Sequence, residues 1–464
     1  MRRLRRDSLA FTPTDAARSG ESLRPAALIA KARAFLADSG DRSLAQRVAG
    51  TAFLIRVFAA ALAYGTQVLL ARWMGAHEFG VYVYVWTWVM LIGALVDLGI
   101  ASAAQRFIPD YSQRGAHAHL RGFLAGSRWL AFGIATILSA LSIATVLLLR
   151  TSIDDYLIVP LVIAFACLPL YGMLHVQDGI ARSYNWINLA LMPPYILRQI
   201  VVVALMGAAY ALGFATDAVT ATLVASFSIW VTALGQMLLL NRRLAREIGP
   251  GEKSYEPRRW LALALPMFMV DSLYSMLTYV DVLVLKQFHD PADIAVYYAA
   301  SKTLSLVAFV YFAVSAAVAH RFAEYHVAGD RERLEAFVRD AIRWTFWPSL
   351  AATVVILALG WPLLRLFGKD FTQGYALLFI FSLGLLIRAA IGPGERFLNM
   401  LGQQRACAVA AGTAFVVNLV LCYALIPLFG IAGAAMATTV AFGFESAMIY
   451  RAAKRKLGIH LFVI

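Results

Sequence analysis

The sequence predicts an all-α polytopic membrane protein, with about twelve transmembrane helices in two parallel six-helix lobes around a central cavity. Three observations lead there. The chain is 61% hydrophobic and 15% charged, with a mean hydropathy of +0.70. A soluble domain is about 45–50% apolar and about 25% charged. Its Lys and Arg residues collect in alternate loops. Two segments, RFIPDYSQRG (106–115) and RFAEYHVAGD (321–330), echo each other with their arginines 215 positions apart.

The spans come first. A crossing helix needs about 20 apolar residues. Such runs fall near 50–72, 80–103, 128–149, 156–176, 187–209, 219–240, 260–285, 294–319, 343–365, 374–392, 406–427 and 430–450. Sustained apolar runs fit helices, which satisfy their own backbone in lipid, rather than the alternating strands of a barrel. Residues 1–48 hold MRRLRR and polar patches but no crossing run. No apolar core follows the charges directly, so this segment reads as a basic tail rather than a signal peptide. Within it, PAALIAKARAFLAD (25–38) suits a short amphipathic helix on an anionic leaflet, with a plain basic tail as the competing reading. The expected domains are the tail at 1–48, an N-terminal lobe at 49–245, and a C-terminal lobe with a short tail at 246–464.

Charge sets orientation. With the tail inside, about 32 Lys/Arg fall in cytoplasmic segments and about five outside, namely Arg72, Arg150, Lys286, Arg365 and Lys369. Both termini are therefore expected in the cytoplasm. The net charge of +14 is a topology signal of this kind, and nothing supports nucleic acid as a partner.

No Gly-rich phosphate loop, His/Cys cluster or nucleophile motif appears. The external loops are short, which argues against a membrane enzyme of glycan assembly. Asp154-Asp155 reads as a helix-start pair favoured by the helix dipole, and GPGE (392–395) as a loop between spans. Cys167, Cys407 and Cys422 lie scattered in apolar stretches and read as buried small hydrophobes. The expectation is a non-enzyme with no cofactor and no metal.

The echo has a register. At a shift of 215, Gln105-Arg106-Phe107 falls on His320-Arg321-Phe322, Val81-Tyr82 on Val296-Tyr297, and Arg128-Trp129 on Arg343-Trp344. The shift moves the chain by an even number of spans, so the lobes are parallel repeats about an axis along the membrane normal. A cavity between such lobes implies alternating access by rocking, and a transporter as the leading class.

Three stretches resemble a known family. LLARWMGAHEFGVYVY (69–84) is similar to the "LLar-lG-eeFG-Y" segment of polysaccharide-type flippases, and VDLGIASAAQRF (96–107) to the end of their second span. LIPLFGIAGAAMATTVA (425–441) is similar to the turn between their last two spans. The family is the polysaccharide transporter (Wzx-type) branch of the multidrug/oligosaccharidyl-lipid/polysaccharide flippase superfamily. The resemblance spans 45–450. It implies a flippase in the bacterial inner membrane, moving undecaprenyl-diphosphate-linked repeat units to the outer leaflet for O-antigen, capsule or exopolysaccharide assembly. Membrane lipids surround it, and polysaccharide polymerase and chain-length proteins are candidate partners. Lipid II flippases of the superfamily usually have fourteen spans, and the extended tail here is a further departure.

A diphosphate crossing hydrocarbon needs cations held away from lipid. The basic residues inside spans are Arg56, Arg198, Lys302 and Arg388, functional candidates by their depth. They suggest a ladder of phosphate-binding positions, against the competing reading of snorkelling for Arg56 and Arg388. Asp271, Asp97 and Asp281 are candidate ion-coupling residues. On depth alone Asp97 would pair with Arg56, Asp281 with Lys302, and Asp271 with Arg198 across the cavity. Pairs of this kind would equally serve as structural glue. A multidrug or organic-cation exporter of the same superfamily is the alternative function, disfavoured because such a cavity calls for acids and few arginines.

Overall fold

The computed structural model describes residues 41–463, with side chains from Ile55 onward except at 270, 316, 319 and 320. The expected tail up to residue 40, with its amphipathic segment, lies outside the described residues. Every regular element among the described residues is helical, as expected of a backbone that cannot hydrogen-bond to lipid.

Among the described residues, eight helices are long and apolar enough to cross a bilayer. Three helix pairs, each bent by 42° at a short break, reach that length and apolarity when taken as one span: Asp155–Ala166 with Leu168–Ser183, Pro257–Met269 with Asp271–Leu285, and Pro291–Ser305 with Ala308–Ser315. The helix Asp41–Gly93 holds two of the expected crossings, because Gly75 breaks it at φ 79° and ψ 172°. Tyr64 and Phe79 show that the chain doubles back there. On a straight helix they would stand about 22 Å apart. Instead both rings meet Phe367, at 5.4 and 6.5 Å between centroids. With each bent pair taken as one span, dividing that helix gives twelve segments able to cross among the described residues.

The ends of several spans differ from expectation for local reasons. The loop expected between spans 1 and 2 shrinks to the turn at Gly75. Span 2 is interrupted near Leu98 (φ 45°) and Gly99 (φ 76°). The helix Ile100–Gln113 then restarts, with the Asp97 carboxylate accepting the Gly99 and Ala101 N–H groups at 3.1 and 3.3 Å. The GPGE stretch is a turn at Gly392 followed by a short helix, Gly394–Met400, rather than a plain loop.

The echoed Arg-Phe pair does the same work twice. Phe107 and Phe322 are buried beside exposed Arg106 and Arg321. Phe107 packs on Phe123 at 5.3 Å, and Phe322 on Phe337 at 5.7 Å, each at the start of the following span. The aromatic rings carry the anchoring, and the arginines reach solvent.

The largest core joins both halves of the chain. Phe79 meets Tyr298, Phe367 and Phe371 at 6.1–6.5 Å. Lipid is as apolar as these rings, so packing rather than water exclusion holds them. Each such aromatic pair adds about 0.5–1.5 kcal/mol.

Candidate functional site

The aromatic core closes one end of the seam between the halves. Most turns at the other end carry Lys and Arg; this is the basic face, and the aromatic end is the far face. Between them lies a cavity of about 360 Å³. Its walls come from spans 1 and 2 (Tyr64, Gln67, Tyr82, Trp86), span 5 (Arg198), span 7 (Tyr279) and span 8 (Tyr298, Lys302).

The local sequence aims both cations. Pro193-Pro194 precedes Arg198 and lies in a π-helical turn, Met192–Leu197. A proline offers no N–H, so the helix there takes the wider register. The Arg198 N–H bonds back to the Pro193 carbonyl, and the Pro194 carbonyl is left to accept from Arg198 Nε at 3.3 Å. That bond turns the guanidinium over the Trp86 ring, 5.7 Å from its centroid. Lys302 sits just before the bend in span 8, with Nζ 4.9 Å from the Tyr298 ring centroid. Cation–π contacts of this kind orient a charge without neutralising it. Among the described residues no carboxylate forms an ion pair with either cation.

The pairings expected from depth do not form. Asp281 accepts from the Tyr297 hydroxyl, from Thr438 Oγ1 at 3.2 Å and from the Val282 N–H at 2.8 Å, rather than pairing with Lys302. The shared partners Tyr297 and Thr438 stand on spans 8 and 12, so Asp281 ties helices within the C-terminal half. Asp97 caps a helix instead of meeting Arg56. Asp271 and Arg198 line different cavities.

A second cavity, about 530 Å³, lies toward the basic face and shares Phe312 with the first. Arg56, Asp271, Glu395, Arg396 and Glu445 line it. Arg388 is enclosed behind it by Tyr274, Tyr311 and Phe442, at 5.2, 5.7 and 5.2 Å. Its guanidinium also reaches Glu395 at 3.7 Å and Glu445 at 3.9 Å. The four basic residues thus form no even ladder. Arg198 and Lys302 share the central cavity, Arg56 stands in the second, and Arg388 is caged. Arg396, Glu395 and Glu445 escaped the sequence reading: the first two sit in what looked like a loop, and Glu445 lies near the end of an apolar run.

Two further contacts bridge the halves on the far face. Arg72 donates to the Leu366 and Arg365 carbonyls at 2.6 and 2.8 Å. Lys286 Nζ meets Asp154 Oδ2 at 2.8 Å, and Tyr156 donates to the same oxygen. Asp154 was expected to serve its own helix as a cap, but makes no capping bond there. Hydrogen bonds from Lys286 and then Tyr156 hold its carboxyl below the usual carboxylate value of 3.8. The bridge is therefore complete above that value and is lost as pH falls through the depressed one. Asp154→Asn is expected to loosen far-face closure severalfold at neutral pH and to remove its acid sensitivity. Spin-label distances across the seam, followed as pH is lowered stepwise from 7 to below 3.8, would check this.

A family model described as polysaccharide biosynthesis protein matches residues 48–326, more than half of the chain. The chain belongs to the polysaccharide biosynthesis protein family. This family member also matches the MatE model over residues 266–424. No curated protein sequence matches it. Its fold is shared by a lipid II flippase, MurJ, in an inward closed conformation: 18% identity over 86% of this chain and 87% of that one, TM-score 0.69. An inward-facing multidrug resistance MATE family transporter of the MOP superfamily aligns at 16% identity over 88% and 94%, TM-score 0.67. A MOP superfamily transporter from Pyrococcus furiosus, described by a reversed polarity of its binding pocket, aligns at 14% over 88% and 95%, TM-score 0.65. This member of the polysaccharide biosynthesis family is a multi-pass membrane protein with the MOP fold. The three named proteins that share that fold are described as two transporters and a flippase.

Proposed function

We propose that the chain is a flippase for undecaprenyl-diphosphate-linked oligosaccharide repeat units, moving them from the inner to the outer leaflet of a bacterial inner membrane. The observation that carries this reading is the central cavity, where Arg198 lies over Trp86 and Lys302 over Tyr298, and among the described residues no carboxylate forms an ion pair with either. Arg198 supplies a planar fork suited to two phosphate oxygens, and Lys302 a point charge. Trp86, Tyr82 and Tyr298 offer flat faces to the sugars next to the diphosphate.

On this reading the basic face is cytoplasmic, with both termini there, and the structure corresponds to a state open inward. Arg56 and Arg396 receive the diphosphate at the entrance. The lobes 49–245 and 246–464 rock to open the far face. An anion leaving a negative interior is favoured by about 2.3 kcal/mol per charge per 100 mV. Asp271, in the entrance cavity, is the coupling candidate of choice, since Asp97 and Asp281 are committed to structural hydrogen bonds.

The MatE match favours a second reading, export of organic cations. That no acid forms an ion pair with Arg198 or Lys302 among the described residues weighs against it. Deletion in the native host separates the two. Lipid-linked repeat units accumulating on the inner leaflet with normal synthesis is the expected result. Unchanged glycan with new drug sensitivity would support the exporter instead.

A further inference from the structure

The cage around Arg388 is built as a receptor for a cation. Tyr274, Tyr311 and Phe442 present three ring faces within 5.7 Å of one guanidinium carbon. Three aromatic faces around a positive charge form the arrangement that recognises free organic cations. Glu395 and Glu445 add negative charge at 3.7 and 3.9 Å. Glu445 is 2% exposed, and its Oε2 is buried without a hydrogen-bond partner among the described residues. An arginine needed only as packing would not leave a buried carboxylate oxygen unmatched. The site has more acceptor capacity than its occupant uses.

We propose that Arg388 is a tethered ligand in an organic-cation site: it fills the Tyr274–Tyr311–Phe442–Glu395–Glu445 cage so that free cations are refused and the transport path is left to anions. Arg388 is then a specificity-determining residue. It acts by occupying a pocket that a cation exporter would leave empty. The proposal deepens the flippase reading and rests on it only for the sign of the substrate's charge.

The test is cation binding by the purified full chain in nanodiscs, with methylguanidinium as the probe and the thermal unfolding midpoint as the readout. Removing the side chain leaves a cavity of guanidinium shape lined by the same rings and carboxylates. Arg388→Ala is expected to be stabilised saturably by millimolar methylguanidinium, binding it at least about tenfold more tightly than wild type. Adding Glu445→Gln should remove that response. Arg388→Ser, which also empties the cage, is read in the same way if the alanine variant does not fold. No saturable response from either variant, or an equal response from wild type, overturns the proposal. Because the assay reads binding and not translocation, its failure is distinguishable from failure of the flippase reading.

Discussion

Replacing Arg198 and Lys302 together by Ala is expected to lower translocation of lipid-linked glycan by about a hundredfold, with protein level in the membrane unchanged. A hydrogen bond to a charged group contributes about 1.5–3 kcal/mol, and 1.4 kcal/mol is tenfold. Each single substitution should therefore cost about tenfold. Neither side chain makes an ion pair among the described residues, which is why their loss should spare the fold. Arg198→Lys keeps the charge but loses the fork, and should fall between wild type and Ala. Pulse-labelled repeat units assayed on each leaflet would show the result.

The second large effect concerns Gly80. It opens the second span on the far face, and a Cβ there would overlap the Pro291 carbonyl at the start of span 8. Pro291 is backbone, not a flexible side-chain tip, so the two spans must separate to accept any other residue. Overpacking of this kind costs about 1–3 kcal/mol. Gly80→Val is therefore expected to shift the chain away from far-face closure by tenfold or more and to abolish transport. Gln67→Cys, in the central cavity, reports it: labelling by an impermeant maleimide from the far side should rise in Gly80→Val. Gly235 faces open space, so Gly235→Val should change nothing.

Much of the architecture was legible in the sequence because bilayer crossing imposes a length and a composition on each span. The two cations of the central cavity were also legible, since an Arg or Lys inside an apolar run stands out. Sequence depth could not say which way a side chain points around its helix. Asp281 and Lys302 were matched on depth, yet Asp281 turns toward Tyr297 and Thr438 on neighbouring spans. Trp86 and Tyr298 were hidden for another reason. In a chain with 10 Trp, 19 Tyr and 28 Phe, aromatic rings that line a cavity read like rings that face lipid. The cage of Arg388 needs residues from spans 7, 8, 10 and 12 to converge, and no local pattern announces that. Gly75 shows the limit of loop counting: one glycine with positive φ does the work expected of several residues.

The central claim is that this cavity carries an anionic lipid-linked sugar between leaflets. Its most direct test is reconstitution of the purified chain into vesicles holding undecaprenyl-diphosphate-linked sugar in one leaflet, with its appearance in the other followed over time. The account predicts protein-dependent translocation that disappears in the Arg198→Ala/Lys302→Ala variant and is not competed by organic cations. Translocation no faster than in protein-free vesicles, or unchanged in that variant, would contradict it.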